Sequence, residues 1–216
     1  MDVLVDNFGL FVGGFLGSLK IIVYSLGGAL LLGVVLAMMR VSPVAPLRSF
    51  GAGYVSVVRN SPLTVMLFFT AFVLPELGFN RPFFQLGVIG LSLYTAAFVC
   101  EAIRSGINAV PDGQAEAARA IGLTFGQSLG SVVMPQALRT VVPPLGSVVI
   151  AMMKNSAIVG AFGVGGDLFS VANRLTSAQG IAVLPVLVGI LIGYLAITLP
   201  TAAVLSRLEE RVAIIR

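Results

Sequence analysis

The sequence contains no histidine and one cysteine among its 216 residues. Imidazole and thiolate are the usual ligands of zinc and related ions, so no transition-metal site is expected. Cys100 lies within an apolar segment, has no partner for an internal disulfide, and reads as a small packing residue. Charge is scarce as well. Only 10% of the residues are charged, against about 25% in ordinary soluble domains. With 57% apolar residues and a mean hydropathy of +1.03, the chain cannot cover itself with a polar skin and needs lipid as part of its solvent.

Other absences narrow the function. No cluster of acids, bases and nucleophile appears, which argues against a membrane enzyme, and no catalytic residue is expected. The net charge of +4 comes from basic residues spread singly between apolar runs. That pattern is loop charge rather than a nucleic-acid-binding face, so no nucleic-acid partner is expected. The N-terminus carries Asp2 and Asp6 and lacks a basic n-region, so it does not read as a signal peptide. No long internal repeat is evident, which counts against transporters built from inverted halves. Residues 1–216 are therefore expected to form a single membrane domain.

What the chain does have is long apolar stretches. Segments 21–39 and 175–206 carry no charge at all, and roughly 20 apolar residues span a bilayer. The pattern predicts an all-α polytopic protein with five spanning helices, at about 11–39, 54–74, 84–105, 141–161 and 183–205. In this arrangement Arg40, Arg48, Arg59, Arg104, Arg119, Arg139, Arg207, Arg211 and Arg216 fall on one side, and Arg81 and Arg174 on the other. Basic loops stay in the cytoplasm. The N-terminus is thus expected outside and the C-terminus inside a cytoplasmic membrane. Gly9, Gly13 and Gly17, and likewise Gly189 and Gly193, recur every four residues, a spacing that lets helix backbones approach closely in lipid.

Segment 106–139 differs from the rest in being longer, more polar and patterned, and it falls on the cytoplasmic side. Pro111 suits a first helical position and Asp112 suits the positive end of a helix dipole. The run from Gln114 to Ile121 is rich in helix formers and Gly122 is a natural stop. Thr124 and Gln127 have capping-box spacing for a second short helix ending near Met134 and Pro135. Ala115, Ala117, Ala118 and Ala120 leave the first helix slim, while Glu116 and Arg119 add charge at i, i+3. A slim rod of this kind can enter a groove on another protein; it can also lie at the membrane interface.

Several motifs then resemble a known family. Glu116-Ala117-Ala118, with Gly122 after three residues and Val132-x-Met134-Pro135 after nine more, resembles the EAA loop of ABC importer permeases. Val replaces Ile and Met replaces Leu in the closing positions. Val58-Arg59-Asn60-Ser61-Pro62-Leu63 resembles the FRGTPLL segment of polar-amino-acid permeases. The stretch from Gly90 to Ile107, the Pro135-Gln136-Ala137-Leu138-Arg139 and Pro143-Pro144-Leu145 runs, and Lys154-Asn155-Ser156 resemble further segments of that family. The likeness covers about 16–206 and points to the histidine/glutamine/glutamate/arginine branch, in particular to actinobacterial glutamate permeases.

The resemblance implies a type I ABC importer permease fold and alternating-access import of a polar amino acid. It implies a second permease, identical or homologous, two cytoplasmic ATPase subunits and an extracytoplasmic binding protein as partners, within membrane lipid. Glu116, Ala117, Ala118, Arg119 and Gly122 would form the helix that couples to the ATPase. The chain has no Gly-x-x-x-x-Gly-Lys-Ser/Thr loop, so it is expected to carry no cofactor of its own, with ATP and magnesium held by the partner. A secondary transporter or channel working without an ATPase is the alternative.

Charged residues at membrane depth complete the list. Lys154 lies about 14 residues beyond Thr140, about 21 Å along a helix, hence in the outer half. An intramembrane cation usually faces a cavity or a partner. Lys154 could attract a substrate carboxylate or hold helices together, and Asn155 and Ser156 share its neighbourhood. Arg59 could line the inner exit or anchor a helix at the head groups. Glu101 and Arg104 read as a mutual i, i+3 pair. Glu76 and Asp167 read as solvated loop charges on the outer side.

Overall fold

A computed structural model describes residues 2–212 except Val164, with the side chains of Asp2 and Phe125 undescribed. Arg216, counted above among the basic residues, lies outside the described residues.

Among the described residues every regular element is a helix. α1 (Asp2–Asp6) leads into α2 (Phe8–Val41), followed by α3 (Ala45–Arg59) and α4 (Leu63–Glu76). α5 (Phe83–Asn108) and α6 (Asp112–Ala120) precede the long α7 (Gly126–Ala161). α8 (Leu168–Asn173) and α9 (Val183–Val212) complete the chain. Four helices, α2, α5, α7 and α9, are long and apolar enough to cross a membrane. The expected span 54–74 is not one helix: α3 and α4 meet at 107°, and only together do they make a fifth span. The break falls at Asn60-Ser61-Pro62, where Pro62 takes an extended backbone (ψ 139°) before α4. Proline favours such a start because its missing N–H is not needed there.

The second short helix and the fourth span, expected to be separate around 135–141, are joined. α7 runs unbroken from Gly126 to Ala161 through a π turn at Leu129–Val133. A proline ring collides with the carbonyl four residues earlier. For Pro135 that carbonyl belongs to Ser131, within the π turn, where the backbone is wider and Met134 N–H donates to Leu129 O instead. The same device recurs in α4: the π turn Phe69–Val73 contains Ala71, four residues before Pro75, and Leu74 N–H donates to Phe69 O. In both places the helix continues where proline would otherwise stop it. Pro143 and Pro144 also lie inside α7.

Packing is built in three zones. At the centre Ile21, Leu67, Leu91, Met152, Val159 and Ile197 bring α2, α4, α5, α7 and α9 together. At one end Leu36, Ala37, Val55, Val58, Ala96 and Cys100 join α2, α3 and α5. At the other, Phe11, Leu168, Leu175, Val186 and Ile190 seat α8 between α2 and α9. The glycine pattern is only partly used for this packing. Gly17 lies against the backbone of Gly166, Gly189 against Phe11 and Gly193 against Leu168, whereas Gly9 and Gly13 face open space.

Asp167 corrects the expectation of a solvated loop charge. It is fully buried. Its carboxylate caps α8, accepting from Phe169 N–H at 3.0 Å and from the Ser170 hydroxyl. Gly160 leaves the space that this carboxylate fills. An N-cap aspartate satisfies helix N–H groups that have no other partner, which makes its burial tolerable.

Candidate functional site

The basic end of the bundle is organised by one carboxylate. Glu101 stands on α5, seven residues before its end. Arg40 from the last turn of α2 donates to its Oε1. Arg104 donates to Oε1 through Nε at 3.3 Å and to Oε2 through Nη2 at 2.9 Å. Arg59, from the last turn of α3, places Nη1 at 3.4 Å from Oε2. The expected Glu101–Arg104 pair is therefore present as part of a larger cluster that ties three helices to a single acid. Among the described residues, every ion pair in the chain converges on Glu101. In the sequence Arg40 marks only the basic side of the membrane domain. The available signal was Glu101 itself, since an acid inside an apolar span needs cationic partners.

Arg59 is the last residue of α3. Its guanidinium lies over the Phe98 ring at 5.8 Å, and it borders a polar cavity of about 380 Å³ shared with Ser56, Asn60 and Arg40. Phe98 also lines a second cavity, of about 280 Å³, between α5 and α7, with Tyr94, Thr95, Ser147, Met152 and Asn155. Arg59 and Asn155 thus approach the same aromatic wall from two sides. The remaining candidates diverge. Lys154 is exposed on the surface of α7 and forms no ion pair among the described residues. Ser156 is 1% exposed and donates its hydroxyl back to Met153 O at 2.7 Å. An exposed lysine at this depth requires a cavity or a partner subunit opposite it.

The polar segment forms the rod that its composition predicts. α6 covers Asp112–Ala120, with Pro111 as the residue before its first turn rather than within it. Its end is a Schellman arrangement: Gly122 (φ 87°) donates to Arg119 O at 2.9 Å, and Leu123 N–H to Ala118 O at 3.1 Å. The positive φ requires glycine here. Thr124 and Gln127 then cap α7 reciprocally, through Thr124 N–H to Gln127 Oε1 at 3.0 Å and Gln127 N–H to Thr124 Oγ1 at 3.4 Å. Ala118 alone of the rod is buried, so this face rests on the start of α7. Glu116, Ala117, Arg119 and Ala120 are exposed, and Ile121 is 80% exposed. The rod thus presents a slim, charged surface with one apolar residue at its tip. The rod is held to α7, and α7 in turn to α5. Gln136 donates to Gln114 at 3.2 Å, and Thr140 donates to Gly106 O at 2.6 Å, tying α7 to the end of α5.

The arrangement has counterparts among known proteins. Residues 29–214 match a family described as binding-protein-dependent transport system inner membrane component. The chain is 39% identical over 211 residues to a probable glutamine ABC transporter permease, GlnM, of Bacillus subtilis, covering 98% of this chain and 97% of that one. It is 40% identical over 210 residues to the glutamate transport system permease GluC of Corynebacterium glutamicum, covering 91% of each. A crystal structure of an amino acid ABC transporter with histidines superposes with a TM-score of 0.90 at 34% identity, covering 97% of both chains. The MetNI methionine ABC transporter superposes with a TM-score of 0.75 at 23% identity, over 97% of this chain and 99% of that one, a likeness of fold.

Removing the shared acid exposes the cost of the cluster. In Glu101→Gln three guanidiniums lose their counter-charge at once. A loss of roughly 1–3 kcal/mol is expected, between the values for exposed and buried pairs. Thermal melting of the purified protein in detergent should fall by several degrees, and Arg104→Gln in the same background should recover part of it. An unchanged melting temperature would show that the cluster does not hold α2, α3 and α5 together.

Proposed function

Since the chain belongs to the family of binding-protein-dependent transport system inner membrane components, we propose that it is the permease subunit of an ATP-binding-cassette importer for a polar amino acid, glutamate or a related one. The observation that carries this reading is the exposed rod α6, whose bare face and apolar tip lie next to the start of the long helix α7. Glu116, Ala117, Arg119 and Gly122 would seat in a cleft of an ATPase subunit, with Ala118 turned back onto this chain. Nucleotide-driven closure would then push α6, and α7 would carry the displacement into the membrane. The substrate class rests on the names of the relatives, glutamine and glutamate permeases among them.

In this reading the basic end is cytoplasmic, the N-terminus is outside and the C-terminus inside. A second permease, identical or homologous, covers the exposed face of α7 around Lys154. Two ATPases bind below, a binding protein delivers substrate above, and ATP with magnesium stays in the ATPases. Lys154 and Asn155 face the pathway, and Ser156 supports them from inside the bundle. Glu116→Lys should abolish most uptake in reconstituted complex while the chain still inserts, because a cation replaces the acid presented to the ATPase. Normal uptake with normal ATPase association in that variant would contradict coupling through α6. Lys154→Ala should reduce uptake about tenfold or more, as expected when a charged contact is lost, with little change in the amount of folded protein. Equal loss of protein and uptake would assign Lys154 a structural role instead. Uptake that persists under ATP depletion with ion gradients intact would favour a transporter working without an ATPase.

A further inference from the structure

The cluster at the basic end is unbalanced. Three guanidiniums share one carboxylate, leaving two positive charges without a counter-ion among the described residues. A carboxylate offers about four acceptor positions. Arg40 and Arg104 take the direct hydrogen bonds to Glu101. Arg59 is left at ion-pair distance, 3.4 Å, and makes no hydrogen bond among the described residues. It lies over Phe98, its side chain is 45% exposed, and it borders the 380 Å³ polar cavity lined also by Arg40, Ser56, Asn60 and Glu101, where the two arginines outnumber the one acid.

An arginine beside an aromatic ring, with one arm of its fork near a carboxylate it shares with two other guanidiniums and its remaining N–H donors without a hydrogen bond at a polar cavity, can bind a planar or tetrahedral oxyanion through those donors. We propose that the cavity beside Arg59 is an anion-binding site of this chain, taking a carboxylate or phosphate group that completes the charge balance begun by Glu101. Ser56 and Asn60 supply neutral polar groups on the cavity wall, and Arg40 contributes the second positive charge. The group could arrive on a small soluble anion or on the head group of an anionic lipid, since both present the same oxygens. The site stands on the cluster's geometry and does not depend on the proposed transport activity.

The test uses the full-length protein with its co-purifying subunits in nanodiscs. Melting temperature is followed in phosphatidylcholine discs against inorganic phosphate and against L-glutamate, and separately in phosphatidylglycerol discs without added anion. Wild type, Arg59→Gln and Arg59→Lys are compared. Stabilisation of wild type by a soluble anion, with apparent affinity about tenfold weaker in Arg59→Gln, identifies a soluble ligand. Stabilisation of wild type by phosphatidylglycerol alone, lost in Arg59→Gln, identifies a lipid head group. Arg59→Lys keeps the charge but not the fork, so it should fall between the other two. It also guards against misreading a folding defect. If neither the soluble anions nor the anionic lipid distinguishes wild type from Arg59→Gln, the site does not exist.

Discussion

The helix Gly126–Ala161 runs without a break from beside the exposed rod to the far half of the bundle, and the rest of the proposed mechanism depends on that continuity. At 1.5 Å per residue its 36 residues extend roughly 54 Å. Continuity over that length is not automatic with prolines at 135, 143 and 144. The π turn at Leu129–Val133 is the local solution for the first of them, because it moves the Ser131 carbonyl out of the ring's way. Thr140 then fixes the shaft to the end of α5 by donating to Gly106 O. The rod rests on this shaft through Ala118 and presents its other faces to solvent, which is the placement the proposed coupling requires.

The two ends of the bundle are secured by different physics. At the basic end charge does the holding: Glu101 gathers Arg40, Arg59 and Arg104 from three helices. At the other end close backbone approach does it, with Gly17 and Gly160 leaving room for the loop that carries Asp167, and with Asp167 capping the short helix α8. A charge cluster can loosen when its ions find another partner, whereas an interlocked backbone has no such substitute. The charge cluster lies at the end of the bundle nearer the rod, and the close backbone packing lies at the other.

Much of this was legible in the sequence because it depends on local chemistry. Charge-free runs of spanning length, the Gly122 stop, the Thr124 and Gln127 cap and the slim alanine-rich rod all follow from residues close together in the chain. What was not legible depends on partners distant in sequence. Arg40 and Glu101 are 61 residues apart, and nothing local to either names the other. The expected span 54–74 runs across Pro62, while the structure bends there by 107°. Pro135 was read as a helix end, while the structure passes through it. A proline excludes one hydrogen bond, but whether the chain turns or widens is decided by what packs around it. Asp167 was assigned to solvent on its charge, although its position before Leu168-Phe169-Ser170 fits a helix cap.

The most direct test is to loosen the shaft within the π turn on which the rod packs, while following whether the ATPase still associates. Val132→Gly with Val133→Gly adds two residues of low helix propensity beside Gly130, between the rod and the membrane part of α7. ATP hydrolysis and amino-acid uptake would be measured on the same reconstituted complex. Retained association and hydrolysis with uptake reduced at least tenfold is the predicted result. Uptake at the wild-type rate would contradict transmission through this helix.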